Sequence, residues 1–126
     1  MHEEPKPYDL GDRTKRFALR IIRLVQALRS GPEARTIGHQ LLRAGTSVGA
    51  NYRAAKRGRS EMEFAAKMGL VEEELDECAY WMELLVEAGL VPGDRLADLR
   101  KEADELTAIT VSAIKRTKAR GRRSRG

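Results

Sequence analysis

The chain predicts an all-α fold, an antiparallel up-down-up-down four-helix bundle. Three observations point there: apolar residues recur every three or four positions in four stretches, glycine and proline punctuate them at short intervals, and no alternating strand pattern competes. At 126 residues the chain suits one domain with one core, burying roughly two-thirds of its unfolded surface.

Helix one is expected to begin near Asp12 and to present Phe17, Ile21, Leu24 and Leu28 before Ser30-Gly31-Pro32 stops it. Gly31 suits a left-handed position after that helix, and Pro32 suits the first turn of the next, where its missing N–H costs nothing. Helix two then shows Ile37, Leu41, Ala44, Val48, Tyr52 and Ala55 up to Gly58. Ser60 with Glu63 reads as a capping box, each side chain satisfying an orphan N–H of the other residue. Helix three follows with Phe64, Met68, Val71, Leu75, Cys78, Met82 and Leu85, an alternation of fours and threes that marks a bundle seam. Gly89 ends it, Pro92-Gly93 turns the chain, and Asp94 caps helix four, with Leu96, Leu99, Ala103, Leu106, Ile109 and Ala113 on its inner face. Connections of only a few residues make successive helices antiparallel neighbours. Residues 1–11 form an N-terminal extension, 12–114 the bundle, and 115–126 a basic segment expected to remain disordered, because like charges repel and no large apolar residue is present.

The net charge of +5 hides a polarised distribution. Residues 34–60 carry six bases and no acid, residues 61–89 nine acids against Lys67 alone, and residues 115–126 seven bases and no acid. Arg53, Lys56, Arg57 and Arg59 cluster at the end of helix two; Lys115, Arg116, Lys118, Arg120, Arg122, Arg123 and Arg125 make up the terminal cluster. Such groups release counterions when they neutralise phosphates, so they favour polyanions without reading sequence. Two bland accounts compete: the helix-two bases could pair with the acids of helix three, and the terminal bases could serve only solubility. Tyr52 could stack on a base, although its place in the helix-two pattern favours the core.

Other chemistry finds little support. A di-iron bundle needs Glu-x-x-His pairs on two helices, and neither His2 nor His39 has a carboxylate three residues before it. The acids of Glu72–Glu77 are spread around a helix rather than arranged in a calcium loop. Gly45-Thr46-Ser47-Val48-Gly49 lacks the lysine and the preceding strand of a phosphate loop. No serine or cysteine nucleophile finds a histidine-acid set, so no catalytic residue, metal or cofactor is expected. Cys78, the single cysteine, lies on the apolar seam and can form no intrachain disulfide, which suits a reducing cytoplasm. No segment approaches the ~18 apolar residues of a membrane span. Ala44, Gly45, Gly49 and Ala50 strip bulk from helix two, and Ser47 and Asn51 stand one turn apart on it. Gly45, Ser47, Gly49 and Asn51 therefore read as a helix interface, with Ser47 and Asn51 hydrogen-bonding across it. Ile22, Val25, Leu42, Leu70, Trp81 and Leu84 lie off the seams, either as a widened core stripe or as a surface facing another protein.

The run from Ser47 through Asn51, the restart at Ser60-x-x-Glu63-Phe64 and the segment from Glu73 to Trp81 resemble the bacterial four helix bundle protein family. That family includes proteins encoded in intervening sequences of large-subunit ribosomal RNA genes, and it is similar to the accessory variability determinant of diversity-generating retroelements. The resemblance spans roughly residues 17–114. It implies assembly into a homopentameric ring, and a reverse transcriptase as a partner. Joined to the basic clusters, it gives the expected function: a non-catalytic, cytoplasmic, oligomeric adaptor that binds RNA or DNA, with no membrane partner. The alternative is a protein-protein interaction or structural assembly module without nucleic acid.

Overall fold

A computed structural model describes residues 9–125. Residues 1–8 of the expected extension, His2 included, and Gly126 lie outside the described residues. The described chain forms four helices and no strand: α1 (Leu10–Ala27), α2 (Pro32–Lys56), α3 (Glu61–Glu87) and α4 (Gly93–Arg125). In space α1 packs on α2, α2 on α3 and α3 on α4, while α4 touches α1. One core results, built from Phe17 and Ile21 of α1, Leu41 and Val48 of α2, Leu75 and Met82 of α3, and Leu96 and Leu106 of α4.

The α3 seam is buried from Met68 through Leu85, and Phe64 packs partly against the core. Helix starts and stops depart from expectation in instructive ways. α1 begins at Leu10, ahead of Asp12, because Leu10 is itself a buried core residue. It ends at Ala27, leaving Leu28 extended, so Gly31 does not close α1. Instead Gly31 precedes α2 at φ 146°, a conformation that L side chains rarely adopt. Ser60 caps α3 as expected, its Oγ accepting from the Glu63 N–H at 3.0 Å, but the Glu63 carboxylate reaches past Ser60 to the Arg59 N–H at 2.9 Å. α3 closes on Gly89 at φ 73°, with Leu90 N–H donating to Leu85 O and Gly89 N–H to Val86 O, a paired Schellman closure.

The largest departure concerns residues 115–125, which continue α4 where a separate unstructured segment was expected. The helix is anchored beyond Ile114 by Thr117, 3% exposed, and by Arg120, whose Nε donates to Glu61 Oε1 of α3 at 3.0 Å. The apolar pattern could not show this, because threonines hold the inner positions. Thr110 and Thr117 each donate the hydroxyl to the carbonyl four residues earlier, at 2.7 and 2.8 Å, and so hide their polarity from the core. Ile109 and Ala113, expected on the inner face, are only partly buried, since Thr110 takes the central position between them. The off-seam residues divide. Val25 and Trp81 pack partly against the core, which widens the stripe, whereas Leu70 is 40% exposed and Met62, unremarked in the sequence, is 75% exposed.

Candidate nucleic-acid interface

The C-terminal end of α2, the start of α3 and the C-terminal part of α4 meet at one end of the fold, where Gly58, Arg59, Ser60, Phe64, Thr117 and Arg120 line a common cleft. Both basic clusters inferred from sequence are thus brought to this end. Arg53, Lys56, Arg57 and Arg59 are all exposed, as are Lys115, Arg116, Lys118, Arg120, Arg122 and Arg123. The Arg125 side chain lies outside the described residues.

The α3 acids that form ion pairs form them with other bases. Arg43, ten residues before Arg53 on α2, pairs with Glu77 and, at 3.4 Å, with Glu74; Glu77 also accepts from Trp81 Nε1 at 3.0 Å. Among the described residues no ion pair engages the side chains of Arg53, Lys56, Arg57 or Arg59. Arg120 by contrast is engaged by Glu61. Lys56 lies 6.0 Å from the centroid of the Tyr52 ring, whose edge packs near Gly11. Tyr52 is buried, and burial, reinforced by the charge of Asp9, pushes its hydroxyl above the ordinary tyrosine range. A ring so placed is a core residue and is not free to stack on a base.

Of the residues expected at a helix interface, the two glycines face another helix of the same chain. A Cβ at Gly45 would stand 2.8 Å from Ile21 Cγ1 and Cγ2, and one at Gly49 would stand 3.3 Å from Thr14 Oγ1, so both glycines admit α1 against α2. Ser47 donates to Arg43 O at 2.8 Å within its own helix, rather than across to another. Asn51 is half-buried, with no side-chain hydrogen bond among the described residues. Cys78 is buried and free; burial first and Glu74 second, opposed by Arg43, push its thiol up to about 12, which removes it as a nucleophile at neutral pH. Among the described residues no group of three His, Cys, Asp or Glu is placed to hold a metal ion, and no helix is long and apolar enough to cross a membrane.

One basic residue escaped the sequence reading. Lys15 of α1 shares an open groove with Arg53 and Arg57 of α2. Its signal was indirect: it stands next to the Thr14 that Gly49 receives, so the close approach of the helices carries it beside the α2 bases.

Fold and site together define a small all-α protein with an exposed basic end. The chain belongs to the 23S rRNA-intervening sequence protein family, which it matches over residues 8–112. It is also similar in structure to a protein of unknown function from the S23 ribosomal protein family of Bacteroides thetaiotaomicron, with TM-score 0.75 and 28% identity, over 84% of this chain and 98% of that one. No curated protein matches the chain.

Proposed function

We propose that this protein is a non-catalytic, oligomeric nucleic-acid-binding adaptor whose basic end holds single-stranded RNA by its phosphates. The observation that carries the reading is the set Arg53, Lys56, Arg57 and Arg59: four exposed cations at one helix end, without an ion-pair partner among the described residues. A surface charge left uncompensated in a chain of net charge +5 is a standing attraction for a polyanion. The name of the family, drawn from ribosomal RNA genes, supports RNA over DNA as the target. The helices are read as an antiparallel up-down-up-down bundle; contacts of α1 that retreat from Leu28 to Ile21 to Thr14 as α2 advances from Gly38 to Gly45 to Gly49 support that order. Exposed Leu19, Met62, Leu70 and Tyr80 support assembly with further copies, and the resemblance to retroelement accessory proteins favours a ring of five, a cytoplasmic setting and a reverse transcriptase as partner.

The test is fluorescence anisotropy of the full chain with labelled single-stranded RNA across a salt series, alongside native mass spectrometry. Binding that weakens steeply with salt and shows little sequence preference supports the adaptor. A chain that binds no RNA at low salt leaves the protein-only assembly module, for which the engagement of Arg43 by Glu74 and Glu77 is the favouring observation.

A further inference from the structure

Four grooves on this surface carry basic residues, two of them next to acids and two next to none, and the difference is informative. The groove between α3 and α4 sets Lys118 and Arg122 beside Glu61 and Glu72, and the cleft at the α2–α3 connection sets Arg59 and Arg120 beside Glu61. Their fields are mixed. The groove between α1 and α2, about 480 Å³, is lined by Lys15, Arg53 and Arg57 and by no carboxylate. Of the acids nearby, Asp12 is paired, facing Arg16 at 3.6 Å on α1. At the other end of the same helix pair a second groove holds Arg29, Arg35 and His39, again with no carboxylate in its lining.

The α1–α2 groove also shows what it cannot read. Its floor is small, with Gly49 and Ala50, and it contains no aromatic ring on which a base could stack. The hydroxyls in its lining are spent: Thr14 Oγ1 donates to Leu10 O, and Thr46 Oγ1 donates to Leu42 O at 2.8 Å. Cationic side chains are left as the outward donors. Arg53 of α2 and Arg57 at its C-cap, four residues apart, lie on one side about 6 Å apart along the helix axis, with Lys15 on the opposite rim. A guanidinium pair and an ammonium around a shallow, small-floored trough suit a chain of phosphates.

We infer that the α1–α2 groove is the track for the phosphate backbone of single-stranded nucleic acid, with Lys15, Arg53 and Arg57 holding successive phosphates and the bases turned to solvent. This rests on the nucleic-acid reading above, and it assigns that reading to one face of the molecule, bringing in Lys15. The α3–α4 face is left for other contacts.

The test compares Lys15→Gln, Ala50→Phe and Lys101→Gln by anisotropy with a labelled oligouridylate. Ala50 is exposed in the groove, so phenylalanine fills the trough without changing any charge. Lys101 is an exposed α4 base outside the groove and controls for net charge. Lys15→Gln should lower the salt slope by about 0.7, the loss of one phosphate contact on a single strand, and Lys101→Gln should leave it unchanged. Ala50→Phe should weaken binding by about threefold or more at constant charge, because phosphates kept out of the trough no longer reach their cations. Wild-type binding that neither Lys15→Gln nor Ala50→Phe alters overturns the track while the adaptor stands. Absence of any wild-type binding at low salt overturns both.

Discussion

Arg13 and Glu102 join α1 to α4 through a two-pronged ion pair, Nη2 to Oε1 at 2.6 Å and Nε to Oε2 at 3.1 Å, with side chains 16% and 20% exposed. The hydrogen bond that Arg13 donates to Glu102 outweighs burial and raises the Arg13 guanidinium above its ordinary value. α1 and α4 share the thinnest of the helix contacts, so this pair closes the ring of helices. Glu102→Ala should lower stability by about 1.5 kcal/mol, since it removes both prongs and leaves part-buried Arg13 with only the longer contact to Glu105 at 3.6 Å. Urea melts measure it; a loss below about 0.5 kcal/mol would mean that the pair behaves like an exposed one.

Gly45 lets Ile21 in. A methyl at position 45 would overlap Ile21 Cγ1 and Cγ2, and Ile21 is fully buried. Gly45→Ala gains about 1 kcal/mol of helix propensity but faces an overpacking cost of about 1 to 3 kcal/mol, so the net effect should be destabilising. In the double variant Ile21→Ala/Gly45→Ala the clash is gone, and the two losses should add to more than the double variant shows. Strict additivity in the melts would show that α1 simply moves aside.

Leu75 sits fully buried at the middle of the α3 seam. Leu75→Ala should cost about 2 to 5 kcal/mol from lost transfer energy and the cavity left behind. Thermal or urea unfolding decides it.

How far the fold could be read from sequence follows from which residues held each helix. Where the inner face is made of large apolar groups, as from Met68 to Leu85, the period alone placed the helix and its buried side. Where Thr110 and Thr117 take that role, the same period is present but carried by hydroxyls, whose polarity is cancelled only after the helix has formed. The tail bases then looked like an isolated charge run. The Gly45 and Gly49 pattern suggested a close helix contact, and sequence could not say which helix would pack there; in the fold α1 of the same chain does. Lys15 was missed for the same reason, because its neighbours Arg53 and Arg57 are set by packing and not by spacing.

Cys78 ties stability to alkaline pH. Its thiol stays protonated in the fold up to about 12, against 9.0 when solvated. The unfolded chain therefore loses this proton first, so the contribution is complete below pH about 9 and is lost as pH rises toward 12. Tyr52, raised from 10.0 by burial, works in the same direction over a higher interval. Urea midpoints should fall above pH 9, and Cys78→Ala should flatten the first part of that fall, with Tyr52→Phe flattening a later part. An unchanged profile in both variants would place the pH dependence in other groups.

The terminal bases separate charge from structure. If all seven met phosphates of a single strand they would supply a slope of about −5 in log K against log salt. Arg120 is committed to Glu61, which should make the slope shallower. Truncation after Ile114 removes those charges, but it also removes buried Thr117 and the Arg120 contact with α3, so it should cost stability as well as affinity. Replacing Lys115, Arg116, Lys118, Arg122 and Arg123 by glutamine keeps both anchors. That variant should melt close to wild type while its salt slope falls by up to about 3.5, at roughly 0.7 per phosphate. Anisotropy and urea melts on the two proteins give the comparison. A glutamine variant with the wild-type slope would confine the phosphate contacts to the α1–α2 face, and a truncated chain as stable as wild type would show that the last turns of α4 add nothing to the core.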